Sequence, residues 1–345
     1  MEVSIEQRKA QQAQAKRKEI TLAILMIAPF LAIFICFSVI PFVMGLGFSF
    51  MKYDPYAPED SSFAGFLNFQ NLFDADNPIS MSFWKSFLTM FLFSAVSIPA
   101  LIILPLFLAY EINKEPLGYK IFRALLYLPS IVSITIAGAV FCNMFRNDSS
   151  GVVNAILGTD IDWLGGKPWE DDFLRWVVMF IARIWMGIGG NFVIFSAALR
   201  DVPKSLYEAC EMDGGNRWTK IIKVTLPHIK FSLNMCIFNT FIGQMNMYAL
   251  PYTFSTLSNQ DIDVSPMMWI QKYLLGGMAY STQTGYLCAG ALVFGIVLAI
   301  VTFIERKVTA PSVKTAKNTA EYEQMLHGRK TLLHSSVKRE DHNYD

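Results

Sequence analysis

Apolar positions in this chain come in long unbroken runs, with the polar positions confined between them. Six runs stand out: Ile20 to Phe50, Phe87 to Tyr110, Ile121 to Phe145, Leu174 to Leu199, Ile229 to Leu250 and Gly285 to Ile304. A helix needs about 20 apolar residues to cross the hydrocarbon core, and each run supplies roughly that or more with few or no charges. The first is overlong for one crossing, and Pro29 and Pro41 are expected to bend it or set its ends. Gly151 to Leu164 and Ser265 to Tyr280 are too polar to span and are read as helices at the outer face. The pattern predicts an all-α integral membrane protein of six transmembrane helices. Residues 1–19 form a polar leading segment, 20–304 the membrane domain, and 305–345 a mixed-charge tail without a sustained apolar stripe. Within that tail Tyr322, Met325 and Leu326 could make one amphipathic turn.

Charge fixes the expected orientation. Lys and Arg gather before the first run (Arg8, Lys9, Lys16, Arg17, Lys18), around the second and fourth connections, and in the tail. The other connections carry few of them (Lys52, Lys85, Arg146, Lys167, Lys272) among many acids. Basic connections stay on the cytoplasmic side, so both termini and the loop of residues 201–228 are expected there. The leading basic segment is followed by an apolar run about twice the length of a signal h-region, with no clear cleavage site, and is read as a retained span. The net charge of +1 conceals this asymmetry and gives no reason to expect nucleic acid as a partner. Overall 53% of residues are hydrophobic and 17% charged, below the roughly 25% charged of soluble domains.

Little in the chain suggests chemistry. It has no phosphate-binding G-x-x-x-x-G-K-[ST] loop and no H-E-x-x-H, and His327, His334 and His342 fall in the tail. Cys36, Cys142, Cys236 and Cys288 lie in spans and Cys210 in a loop, with no CxxC or metal spacing, so no metal site is expected and the thiols read as small packers. No Asp or Glu falls inside a span. That weakens the main alternative, a self-contained secondary transporter, which more often couples through intramembrane acids and matched broken helices. Trp84, Trp163, Trp169 and Trp176 near outer span ends read as interfacial anchors.

The loop between the fourth and fifth spans is unusually structured for a connection. Pro203 suits a first helical turn, and Ser205 with Glu208 has capping-box spacing, which predicts a short helix to Met212. Gly214 and Gly215 supply the positive φ that ends it. Asn216 can cap a second helix through Lys223 that Pro227 is expected to stop. The alternative is an ordinary basic amphipathic connection resting on lipid headgroups.

Glu208-Ala209-Cys210, three residues, Gly214, nine residues and Val224-Thr225-Leu226-Pro227 closely resemble the E-A-A, x3, G, x9, I-x-L-P loop of ATP-binding-cassette importer permeases. Asp213 precedes the glycine as it often does there; Cys210 and Val224 are conservative departures. Gly65 to Phe73, Leu128-Pro129, Trp163-Leu164-Gly165, Trp185 to Gly189, Ala197, Leu199 and Val202-Pro203 are similar to other stretches of carbohydrate-uptake permeases of the maltose and glycerol-3-phosphate type. The resemblance covers Ile20 to Ile304 and implies a type I importer permease fold in a bacterial cell membrane. It implies that Glu208, Ala209, Asp213, Gly214, Leu226 and Pro227 couple the chain to a separate ATPase dimer, where ATP and magnesium bind, this chain itself carrying no cofactor and no catalysis. It further implies a second homologous permease, an extracytoplasmic solute-binding protein and a sugar substrate.

A polar path must run where the bilayer is apolar, so polar stripes inside spans are candidate contacts with the solute. Arg183, Gly187 and Asn191 recur at i, i+4 and i+8 on the fourth span, and Thr240, Gln244 and Tyr248 on the fifth, with Asn239 and Asn246 flanking. The same residues can serve as interhelical hydrogen-bonding groups. Arg183 is the sharpest of them: it could meet an acidic sugar, a phosphate or a partner carboxylate, or reach back toward the outer surface near Leu174.

Overall fold

A computed structural model describes residues 5–165, 173–257, 265–275 and 284–309. Trp169, the end of the second outer segment beyond position 275, and the tail from position 310 with its expected turn lie outside them. Among the described residues, five helical runs are long and apolar enough to cross a membrane, or six if one bent pair counts as a single span.

The first run is α1 (Ile5–Phe34), a wide π turn over Ile35–Val39, and α2 (Ile40–Phe48). The helix continues through both prolines. Pro29 is carried inside α1. Pro41 sits two residues beyond the π turn, where the widened ladder lets the preceding carbonyls tilt clear of the ring. Every residue from Lys16 to Met44 is exposed, so lipid or another chain must cover this helix. A two-stranded hairpin follows, β1 (Met51–Lys52) antiparallel to β2 (Ser62–Phe63), and then α3 (Leu67–Leu72). Asn68 on α3 donates to the carbonyls of Ser49 (2.8 Å) and Met51 (2.9 Å), which closes the end of the first span.

The second span is α4 (Pro78–Ile112). The third departs from expectation. Instead of one helix over Ile121 to Phe145 the chain forms α5 (Tyr119–Tyr127), a 3-10 turn over Leu128–Ile131, and α6 (Ile134–Met144), bent by 95° at the break. Pro129 cannot donate to the ladder, and Val132 is extended (φ −69, ψ 138), which ends the helical hydrogen bonding there.

After α6 comes a compact outer segment with α7 (Val152–Leu157), ended by Gly158 in the left-handed region (φ 65). Its organiser is Asn154, 1% exposed. The Asn154 Nδ2 donates to the carbonyls of Arg146 (3.1 Å), Asp148 (3.3 Å) and Ile161 (2.9 Å). Its Oδ1 accepts from the Ile161 amide (3.2 Å) and the Trp163 indole (2.8 Å). Trp163 is therefore turned inward, and the Trp84 indole likewise donates to the Leu72 carbonyl at 2.8 Å. The indole N–H of each of these half-buried tryptophans is thus held by a protein acceptor.

The remaining α-helices are α8 (Phe173–Arg200), α9 (Lys204–Met212), α10 (Arg217–Thr219), α11 (Leu226–Met245), α12 (Ala249–Leu257), α13 (Pro266–Leu275) and α14 (Thr284–Thr309). The chain divides into two units: Met1–Ala95, Ile134–Met179 and Gln244–Val297 in one, Val96–Ser133, Phe180–Gly243 and Leu298–Asp345 in the other. The first unit is centred on Trp269, fully buried, ringed by Phe83, Tyr273 and Tyr286 at centroid distances of 4.9, 5.4 and 6.0 Å. There α6 meets α12 closely, because a Cβ on Gly138 would lie 3.1 Å from Thr253 Cβ. The core of the second unit joins Ile102, Ala109 and Ile112 of α4 to Phe192, Phe195 and Leu199 of α8 and to Val202, Ile229 and Cys236.

Asn154→Ala removes both halves of the outer hub and leaves the partly buried carbonyls of Arg146 and Ile161 without its side-chain donor. It is expected to cost about 2–3 kcal/mol and to speed proteolysis between Arg146 and Gly165. Thermal unfolding and limited proteolysis of the purified protein in lipid would measure both.

Candidate functional site

The segment 201–228 folds as a helix, a turn and a second helical arm. Helix α9 starts after Pro203, which is extended (φ −60, ψ 130) and offers no side-chain cap. The expected Ser205–Glu208 capping box is therefore not formed, because Ser205 already lies inside the helix. The far end follows the expectation closely. Gly214 is left-handed (φ 77); its amide donates to the Glu211 carbonyl at 2.9 Å and the Gly215 amide to Cys210 at 2.8 Å. These two bonds make a Schellman ending. A side chain at Gly215 would collide with Cys210, its Cβ 2.4 Å from Sγ. Asn216 then caps the second arm, its Oδ1 accepting from the Thr219 amide at 2.9 Å.

Pro227 does not stop that arm. A π turn over Lys220–Thr225 precedes it, as one precedes Pro41, and helical structure runs from Arg217 through α11. The wide turn accommodates the proline ring, so the second arm and the fifth span form one continuous rod. The two arms are tied to each other: Tyr207 Oη lies 3.0 Å from Thr225 Oγ1, and Lys220 pairs with Glu211. Glu208, Ala209, Asp213 and Gly214 are exposed at the tip, with Leu226 half-buried and Pro227 exposed at the root. Met212 and Trp218 are 88% and 69% exposed. A hollow of about 260 Å³ opens at the root between Leu206, Lys223, Val224, Pro227 and His228. The product is a braced projection with apolar residues uncovered, a shape suited to entering a groove on another protein.

The stripe on α8 has a different local logic. Pro105 on α4 lacks the N–H that would bond the carbonyl of Leu101 four residues earlier. Asn191 replaces it, its Nδ2 donating to Leu101 O at 2.8 Å and to Thr240 Oγ1 at 3.0 Å. Gly187 permits the close approach this needs: a Cβ there would lie 2.5 Å from Leu101 Cδ2. Gly187, Asn191 and Thr240 are thus joined in packing α8 against α4 and α11. Arg183 is half-buried, and its Nη1 lies 3.1 Å from where a Gly187 Cβ would stand. The guanidinium is laid over Gly187, one turn further into the span, and does not reach back toward Leu174.

Gln244 is fully buried near the end of α11. The fifth span does not continue unbroken to Leu250: α11 ends at Met245, and Asn246 to Tyr248 are non-helical before α12 begins. Pro251 gives the reason, since an uninterrupted helix would drive its ring into the Met247 carbonyl. Tyr248 therefore leaves the expected stripe. It stacks on Tyr252 at 5.1 Å and 24°, and Tyr252 is 42% exposed. Non-helical backbone at membrane depth is tolerated where protein or a water-filled cavity surrounds it.

Sequence reasoning passed over Tyr252, and also Arg175, 4% exposed, whose Nε donates to the Leu164 carbonyl at 3.1 Å and fastens the outer segment to α8. It also passed over Glu111, at the end of α4, which pairs with Arg217 of the second arm. Pro105 four positions after Leu101 was the available clue to Asn191. No local pattern pointed to Glu111.

The sequence model of a family described as the binding-protein-dependent transport system inner membrane component matches residues 79–313. The chain is 30% identical over 301 residues to the probable ABC transporter permease protein YesP of Bacillus subtilis, covering 85% of this chain and 92% of that one. It is 31% identical over 235 residues to the arabinooligosaccharides transport system permease protein AraP of Halalkalibacterium halodurans, covering 66% and 70% respectively. It shares its fold with a chain in the crystal structure of a bacterial ABC transporter involved in the import of the acidic polysaccharide alginate. The TM-score is 0.66 at 22% identity, over 86% of this chain and 99% of that chain.

Asn191→Leu is expected to destabilise the protein by about 1–2 kcal/mol through the stranded Leu101 carbonyl. In a Pro105→Ala background the cost should shrink, because the new amide can take up that carbonyl. A double-mutant cycle followed by unfolding in mixed micelles would read the coupling.

Proposed function

The chain belongs to the family of binding-protein-dependent transport system inner membrane components, and we propose that it forms half of the pore of an ATP-driven sugar importer in a bacterial cell membrane. The observation that carries this reading is the braced projection of residues 201–228. Its tip holds Glu208, Ala209, Asp213 and Gly214 in the open, its two arms are locked together, and its second arm is continuous with a membrane span. An ATPase gripping the tip would move the span with it. ATP and magnesium bind on that separate ATPase dimer; this chain contributes no catalysis. The basic residues of the loop and of both terminal segments support a common cytoplasmic side for them.

The uniformly exposed first helix supports a second, homologous permease that covers part of it, with lipid covering the rest. A solute-binding protein outside the membrane delivers the sugar, in keeping with the family. Within the membrane Arg183 and Tyr248 are carried forward as solute contacts, each on its own geometry. The Tyr248–Tyr252 stack offers an aromatic face for a pyranose ring. Arg183 gives a chemical direction, since a guanidinium held inside a span suits a carboxylate and hence a uronic sugar. Thr240 and Gln244 stay with the fifth span as polar neighbours, and Gly187 and Asn191 as the packing that shapes it.

Two outcomes test the reading. In a complex of both permeases and the ATPase in lipid, Gly214→Asp should abolish ATPase assembly and ATP-dependent uptake while the permeases stay paired. Intact uptake without any ATPase would put a secondary carrier in its place. Arg183→Ala should lower uptake of an oligo-uronate about tenfold, the equivalent of one charge-assisted bond, and leave a neutral arabino-oligosaccharide nearly unchanged. Equal effects on both probes would remove the case for an acidic solute.

A further inference from the structure

The projection is fastened to the membrane domain at a point that the docking residues do not include. Glu111 lies in the last turn of α4, where its Oε1 accepts from Arg217 at the start of the second arm and its Oε2 from Lys114 Nζ at 2.9 Å. The neighbouring residues of α4, Ala109 and Ile112, are buried in the same cluster as Leu199, Val202 and Ile229, with Tyr207 and Val224 packed against it. The root of the projection therefore rests on the end of α4, and the ion pair clasps the exposed side of that seat.

From this juxtaposition we propose that Glu111 is a positioning residue for coupling: through Arg217 it makes α4 travel with the projection when the ATPase moves it. The arms are braced against absorbing the movement themselves. They are cross-tied by Tyr207 with Thr225 and by Glu211 with Lys220, and Asn216 caps the second arm. Displacement of the tip passes along the chain through residues 201–203 into α8, and by two further routes. One is the continuous helix from Arg217 into α11; the other is Glu111 into α4. Without the pair, the apolar seat alone links projection and α4, and helices held by packing alone can shear past one another by about 1–2 Å. An exposed pair contributes little to folding stability, so the fold should survive its removal. The inference rests on the docking reading above.

The test uses the full complex in lipid, with spin labels at Leu117→Cys, fully exposed beyond α4, and Lys230→Cys, exposed on α11, in a Cys36→Ser, Cys210→Ala background. Pulsed electron paramagnetic resonance is recorded nucleotide-free and after trapping with ATP and vanadate. With Glu111 present the distance should be the same in both states. With Glu111→Gln the ATPase should still assemble, and trapping should shift the distance by on the order of 2 Å, a helix slip. The exchange of Glu111→Arg with Arg217→Glu should restore the native behaviour, whereas Lys114→Gln alone should not alter it. A shift on trapping with Glu111 present, no shift in Glu111→Gln, failure of the charge exchange to restore, or an equal effect of Lys114→Gln would each overturn the proposal. Loss of the ATPase from the Glu111→Gln complex would also overturn it, by making Glu111 part of the docking surface. A native chain that recruits no ATPase would sink the docking reading itself, a result seen before any label is read.

Discussion

A backbone carbonyl left without a donor in hydrocarbon costs several kcal/mol, and this chain places prolines inside or at the ends of most of its spans. Much of the architecture answers that constraint. Before Pro41 and before Pro227 the helix widens into a π turn and carries on. At Pro105 the orphaned carbonyl of Leu101 is taken up by Asn191 from another helix. Ahead of Pro251 the helix opens for Asn246 to Tyr248, and after Pro129 it ends and turns. Continuity, crossing, opening and bend are four outcomes of one local deficit, chosen by what lies nearby.

Those choices bear on transport. Where the widened turn kept the helix whole, the segment after Gly215 became an arm continuous with a span. Where the helix opened, an aromatic pair was brought to unwound backbone within the fifth apolar run. Where a side chain crossed over, α4 and α8 were locked at Leu101 with Gly187 at the point of closest approach. A residue such as Asn191 can look like a solute contact in a helical stripe and yet have both amide hydrogens committed to the scaffold.

Much of the fold was legible because hydropathy over about 20 residues is a strong, local property. The Glu208 to Pro227 spacing was equally legible, since its glycine turn and Asn216 cap need only near neighbours. The misreadings share a cause. The capping box at Ser205 failed because the helix began two residues earlier than the motif required. The third and fifth spans looked continuous because proline signals a missing bond without saying how the bond will be replaced.

By itself, then, the sequence determined the number and extent of the apolar runs, their expected orientation, and the turn chemistry of the loop, all of which depend on composition or on residues a few places apart. Only the tertiary structure decided which partner satisfies each stranded carbonyl, where Arg183 lays its guanidinium, and that Glu111 meets Arg217. Those outcomes depend on groups separated by up to 106 positions in the chain, and such groups become neighbours only when helices pack.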